Sequence, residues 1–224
     1  LLGFTLFTKA NIIFVDKDAT GNNNGNSWAN AYPQLHEALA NATAGDEIWV
    51  AEGIYRPVLN QHNLRSSTFE LKNAVAILGG FNGTETQAQQ RQPVVNLTVL
   101  SGKFSAPLNT SVYHVVTANG NIDSTAVLDG FTIRQGRADG SYLTQRKGAG
   151  IYMKQGASPT IEHCALINNH AEMGGGIYVG NGTPTIDSCL FKNNQADAGG
   201  GLYVNTGTPE ITRSTFLGNT AISF

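Results

Sequence analysis

From Gly148 onward the chain repeats one pattern of apolar and polar positions. Gly148-Ala-Gly-Ile-Tyr-Met, Gly174-Gly-Gly-Ile-Tyr-Val and Gly199-Gly-Gly-Leu-Tyr-Val open three copies. Pro159, Pro184 and Pro209 then fall 25 residues apart, as do Ile161, Ile186 and Ile211. Leu166, Phe191 and Phe216 keep the register, followed by Asn169, Asn194 and Asn219, then Ala171, Ala196 and Ala221. A degenerate copy lies upstream, where Leu128, Phe131, Ile133 and Ala138 match Ile161, Cys164, Leu166 and Ala171. The segment SYLTQRK, residues 141–147, is then an insertion.

Each copy alternates β-branched and aromatic residues with polar ones over short runs, which predicts strands. The Gly triplets, Gly-Thr-Pro and Asn-Asn pairs predict the turns between them. One such unit cannot bury its own apolar face and must stack on its neighbours. Stacking places equivalent positions about 4.8 Å apart, the spacing of paired strands. The fold class expected is all-β, a parallel β-helix with about 25 residues per coil. The right-handed form is expected, because hexapeptide-built left-handed coils repeat in multiples of six.

Alternation assigns the side chains. Ile151, Ile177 and Leu202 should form one inward column, Met153, Val179 and Val204 a second, and Leu166, Phe191 and Phe216 a third. The Asn169, Asn194 and Asn219 column belongs at a turn, where stacked amides bond to one another and to backbone. Cys164 and Cys189 stack one coil apart, with Ser214 next. In-register side chains point in parallel, which suits a column of small buried thiols better than a disulfide. Tyr152, Tyr178 and Tyr203 alternate with the inward residues and are expected as a row on the outer surface.

The N-terminal third departs from the repeat. Leu35, Ala38, Leu39 and Ala42 have helical spacing, which predicts a short helix capping the open end of the solenoid. The apolar run at residues 1–7, followed by Ala10, reads as the tail of a secretory signal peptide cleaved after Ala10. Residues 11–224 then form a single β-helix domain that stops in mid-repeat, so further coils are expected beyond it. The apolar run is too short to be a transmembrane segment.

Composition narrows the partners. Charged residues are only 13%, about half the usual share, and Gly is high at 26. Net charge is −2, which offers no basic field for nucleic acid or an anionic membrane. Two cysteines without a CxxC give no zinc signature.

The block IIFVDKDATGNNNGNSWANAYPQLHEALANATAGDEIWVAEGIYRP, then LKNAVAILGGFNGTET, VLDGFTI and the GGGIY repeats, resembles secreted bacterial right-handed β-helix proteins. These belong to the pectate-lyase-like superfamily, some of whose members end in a cell-surface anchor. The resemblance implies a secreted or bacterial cell-surface location. It leaves function open, because this fold hosts lyases, hydrolases, adhesins and tailspikes. Lyases of the superfamily hold calcium with Asp and Glu and use a Lys or Arg as base. Here the repeat carboxylates are sparse: Asp129, Glu162, Asp187 and Glu210. Glu162 and Asp187 share a column that Thr212 continues, so no stacked Asp triplet is expected, and His163 and His170 have no Asp beside them. No catalytic residue is assigned.

Three features remain as candidate sites. Asp16, Asp18, Thr20 and Asn22 alternate oxygen ligands as a calcium loop does, with Gly21 at the sixth place. The loop lacks the bidentate Glu at the twelfth, where Ser27 stands. The insertion brings Arg137, Asp139, Tyr142, Arg146 and Lys147 out of the coil, and solenoid insertions line binding faces. The tyrosine row, Tyr152, Tyr178 and Tyr203, could serve as a sugar platform. The expectation is an extracellular module that binds polysaccharide or a cell-surface glycan, or supports adhesion. One alternative is a polysaccharide lyase or glycoside hydrolase acting on acidic polysaccharide, with its site near residues 129–147 or in the further coils expected beyond them. The other is a structural stalk or filament unit.

Overall fold

The computed structural model describes residues 10–58, 63–104, 106, 108 and 110–222. The apolar run at residues 1–7 lies outside them. Four parallel sheets run along the molecule, and successive coils visit them in turn. Sheet I contains Ile12–Val15, Glu47–Ala51, Ala76–Phe81, Val127–Asp129, Thr160–Glu162, Thr185–Asp187 and Glu210–Thr212. Sheet II runs from Gly53–Tyr55 through Thr98–Ser101, Phe131–Arg134, Ala165–Ile167 and Leu190–Lys192 to Thr215–Leu217. Sheet III has Arg137–Ala138, His170–Met173, Gln195–Ala198 and Thr220–Ala221. Sheet IV has Phe69–Glu70, Val116–Ala118, Ile151–Met153, Ile177–Val179 and Leu202–Val204. This is a parallel β-helix.

The sequence register is the structural register. Ile161 pairs with Leu128 and Ile186, Leu166 with Ile133 and Phe191, and Ala171 with Ala138 and Ala196. The inward columns are fully buried in the inner coils. They open only on the last coil, where Phe216 is 47% exposed although its ring stacks on Phe191 at 4.4 Å.

The corners explain the repeated turn residues. At the corner from sheet I to II, Gly130, His163, Ser188 and Arg213 all have positive φ. At the corner from sheet II to III, Gln135, Asn168, Asn193 and Gly218 do the same. The corner into sheet IV is stricter: Gly174 has φ +69°, and a Cβ there would overlap the Ile177 carbonyl oxygen. That is why the repeat opens on glycine.

The asparagine column forms the expected ladder. Asn169 Nδ2 donates to Asn194 Oδ1 and Asn194 Nδ2 to Asn219 Oδ1, each at 3.0 Å. The same amide groups also bond backbone, with Asn194 Nδ2 donating to the Leu166 carbonyl at 2.8 Å. Asn194 Oδ1 takes the Asn169 N–H at 3.0 Å. Polar corner groups are thereby satisfied inside the coil stack.

Cys164 and Cys189 are reduced and buried, their thiols facing the carbonyls of Leu128 and Ile161 at 3.6 Å. Burial pushes both thiols upward, that of Cys189 to about 12. Neither forms a thiolate at neutral pH. A thiol reagent such as dithionitrobenzoate should therefore label neither cysteine in the native protein and both on unfolding; prompt native labelling would show that the coils breathe at this column.

Leu35–Asn41 is the predicted helix. Leu35, Ala38 and Leu39 are its buried face and join the main core. It packs on the first two strands of sheet I and so closes the end of the solenoid.

Candidate functional site

The tyrosine row exists but is not an exposed platform. Tyr152, Tyr178 and Tyr203 stand in register, with ring centroids 5.6 and 5.5 Å apart. Tyr152 is only 7% exposed and Tyr178 only 4%. Their faces are covered. Lys147, at the end of the insertion, lies with Nζ 5.0 Å from the Tyr178 ring centre and donates to its hydroxyl at 3.3 Å. The His114 ring stacks on Tyr152 at 4.8 Å. Alternation told correctly that the rings point outward; it could not show a loop folding back over them. Among the three, Tyr203 alone is partly open.

His114 is sealed with the row. Burial holds its imidazole down to about 4, against the carbonyl of Gly148, which accepts from Nδ1 at 3.1 Å. The ring is neutral at physiological pH and packs as a polar-tipped aromatic.

The insertion borders a concave face on sheet III and contributes Arg146 to it. Residues Leu143–Arg146 form a 3-10 turn. The turn is tied down through Arg146, whose Nε donates to the Gly140 carbonyl at 2.9 Å and whose Nη1 pairs with Glu172 at 3.1 Å. Beside it a cleft of about 540 Å³ is lined by Arg65, Lys103, Arg137, Asp139, Asn168 and His170, among others. A smaller cleft of about 220 Å³ continues from it past Gly140, Arg146, Glu172 and Asp197, sharing Asp139 and His170. Together they make a polar groove across successive coils, roughly along the solenoid axis.

Of the expected site residues, Arg137 and Arg146 lie in this groove. Tyr142 does not line either cleft; it sits 72% exposed at the tip of the loop. Arg65 and Lys103 were missed. They come from coils far back in the sequence and carry no local motif. Arg65 is the bracket of the site. Its Nε donates to the Ser111 carbonyl at 2.8 Å and its Nη2 to the Arg137 carbonyl at 2.7 Å. Nη2 also pairs with Asp139 at 2.5 Å, while its guanidinium lies 4.3 Å over the Tyr113 ring. Asp139 receives Arg137 Nε as well, at 2.6 Å.

A second polar cluster occupies the outer face of sheet I, and it extends the expected column of Glu162 and Asp187 by a third carboxylate. Asp129, Glu162 and Asp187 stand in register on three successive coils, with Thr212 next. The alignment of Leu128 with Ile161 already placed Asp129 over Glu162, so the triplet was legible. His163 does have an aspartate partner, supplied by the coil before: Nδ1 lies 3.0 Å from Asp129 Oδ1. Arg91 takes the other oxygen of Asp129. On the next coil but one, Asp187 is bound by Thr212 Oγ1 and Arg213, each at 2.5 Å. Those bonds, that of Thr212 first, hold its carboxyl below the ordinary value.

Asp129, Glu162 and His163 present ligand atoms within 4.8 Å of one another. They do not suit calcium, which takes six to eight oxygens. Asp129 spends both oxygens on Arg91 and His163, and an imidazole is a poor ligand for a hard cation.

The loop carrying Asp16, Asp18, Thr20 and Asn22 is organised by its own bonds. Asp16 Oδ1 accepts the Asp18 N–H at 2.9 Å, and Asp18 pairs with Lys17 at 2.5 Å. The Asn22 N–H goes to Asn30 Oδ1 at 2.9 Å, and Thr20 is exposed. The loop's anchor is Trp28, which packs edge-on against Phe14 at 4.8 Å and beside Trp49 and Phe81. Its polar residues form Asx-type turns over sheet I.

The profile of a family described as right handed beta helix region matches residues 109–224, slightly more than half of the chain. The chain belongs to the right-handed β-helix family. No curated protein and no solved structure gives a significant match. The matched span holds the asparagine ladder, the insertion and most of the groove. Sheets I, II and IV continue the β-helix upstream, so Arg65 and Lys103 reach the groove from coils outside the matched span. No helix among the described residues is long and apolar enough to cross a membrane.

Proposed function

We propose that this β-helix is an extracellular or cell-surface module that binds glycans, with the sugar chain lying in the groove on sheet III. The groove itself carries this reading. It is concave and formed by fixed strands and a tied-down loop, and its walls offer hydrogen-bonding side chains from Lys103 to Asp197. A linear polymer can follow it from coil to coil. The buried tyrosines then support the wall rather than contact sugar. Secretion accords with the apolar N-terminal run, and adhesion is the natural use of a rigid rod with a binding face.

Affinity electrophoresis through gels containing a panel of plant, algal and bacterial polysaccharides tests the reading. At least one polysaccharide should retard the protein, and His170→Ala with Asn168→Gly, the glycine keeping the positive φ of that corner, should weaken that retention about tenfold without changing the melting temperature. Retention unaffected by the pair, or none across the panel, would count against the groove.

The Asp129, Glu162 and His163 cluster supports a second reading, a lyase or hydrolase acting on sheet I. Unsaturated product absorbing in the ultraviolet, or new reducing ends, abolished by Glu162→Gln, would establish it. A binder leaves the polysaccharide unchanged.

A further inference from the structure

The groove carries a charge opposite to that of the molecule. The chain has a net charge of −2. The wider section of the groove is lined by three cations, Arg65, Lys103 and Arg137, against the single carboxylate of Asp139. With His170 counted neutral, three minus one leaves +2.

These cations are not all consumed internally. Burial opposes ionisation of Asp139, but the hydrogen bonds from Arg137 and Arg65 outweigh it and keep the carboxyl below its ordinary value. That one carboxylate uses Nε of Arg137 and Nη2 of Arg65. A guanidinium has five N–H donors, so the Nη groups of Arg137 remain for a ligand. Lys103 is exposed and has no acidic partner among the described residues. Asn168 and Gln135 add neutral donors and acceptors between them.

We infer that this section is an anion subsite, selecting glycans that bear carboxylate or sulfate groups. The inference rests on the glycan-binding reading above and adds the substrate class to it. Cations gathered in a concave site focus their field toward an approaching ligand. Guanidinium forks match carboxylate and sulfate oxygens in pairs, while Lys103 supplies a mobile point charge. In the narrower section Arg146 pairs with Glu172 and the exposed Asp197 adds a further carboxylate, so that section repels anionic groups and would take the uncharged sugar units that follow.

The test compares three polymers under one buffer by affinity electrophoresis: polygalacturonate, dextran sulfate and unmodified dextran. At least one of the two anionic polymers should bind tenfold or more tightly than dextran, and the difference should shrink as salt is raised. Which of them binds names the anion, uronate carboxylate or sulfate ester. Lys103→Ala with Arg137→Gln should remove about tenfold of the anionic affinity. Both side chains are exposed, and an unchanged melting temperature confirms that the fold is intact. Dextran binding as tightly as the anionic pair, or a double variant that retains full affinity, would overturn the anion subsite and leave glycan binding standing. Binding to none of the three and to nothing in the wider panel would remove both.

Discussion

Replacing Asn194 by Leu should lower the unfolding free energy by about 4 kcal/mol, since several buried groups lose their partners at once and each is worth roughly 1–3 kcal/mol. Asn194 is 0% exposed. Its amide donates to Leu166 O and Asn219 Oδ1, and its oxygen accepts the backbone and side-chain N–H groups of Asn169. A leucine matches its size but returns none of these bonds. The carbonyl of Leu166 and the N–H of Asn169 would stay buried without them. Asn193, the preceding residue, is exposed and makes the control. Asn193 has a positive φ, so Asn193→Gly preserves the corner and should change stability by less than about 1 kcal/mol. Urea unfolding of both variants decides the matter; equal losses would mean that the ladder adds nothing beyond its backbone turns.

The second large effect is a loss of stability in mild acid that belongs to His114. Its folded value is lowered to about 4, and the ordinary value is 6.5. Between these the unfolded chain binds a proton that the folded protein does not. Stability due to the neutral ring is therefore complete above pH 6.5 and falls as pH drops toward 4. The full loss is about 3 kcal/mol, taking about 1.4 kcal/mol per unit. The carboxylates Asp46, Asp139 and Asp187 are held below their ordinary value, so their contributions are lost further down. His114→Phe keeps the stack on Tyr152 and removes the titration. It should be less stable at pH 7, because Gly148 O loses its donor, yet nearly flat from pH 6.5 to 4.5. A variant that keeps the wild-type slope would assign the acid sensitivity to another group.

Much of the architecture was written in the repeat. A strict spacing of 25 fixes which residues stack, and alternation fixes which face the core. Ile177, Phe191 and Asn194 therefore stood where expected. Alternation also sets outward direction, and there it stopped short for Tyr152 and Tyr178. Whether an outward side chain meets water depends on what returns over it, and the return path of the insertion has no periodicity. The helix Leu35–Asn41 was legible because its apolar spacing is local.

The groove was legible only in part, for the same reason. Arg146 belongs to the insertion, which announced itself by interrupting the repeat; Arg137 stays in the coil, on the sheet III strand next to Ala138, whose match to Ala171 fixes its place. Arg65 and Lys103 sit in irregular early coils, where the register is not locked and stacking partners cannot be counted off. Asp129 was different. The register that aligned Leu128 with Ile161 also aligned Asp129 with Glu162, and the carboxylate triplet followed from it. The alternating oxygens of Asp16–Asn22 are common to cation loops and Asx turns, so the spacing alone does not separate the two; the packing of Trp28 that holds the loop is a long-range contact.

Hydrogen–deuterium exchange with and without a polysaccharide that retards the protein tests the binding groove most directly. Slowed exchange should map to the groove walls, at Arg65, residues 110–112, 135–147 and 168–172, with the outer face of sheet I unchanged. Protection confined to Asp129, Glu162 and Asp187, with the sheet III groove unaffected, would contradict it.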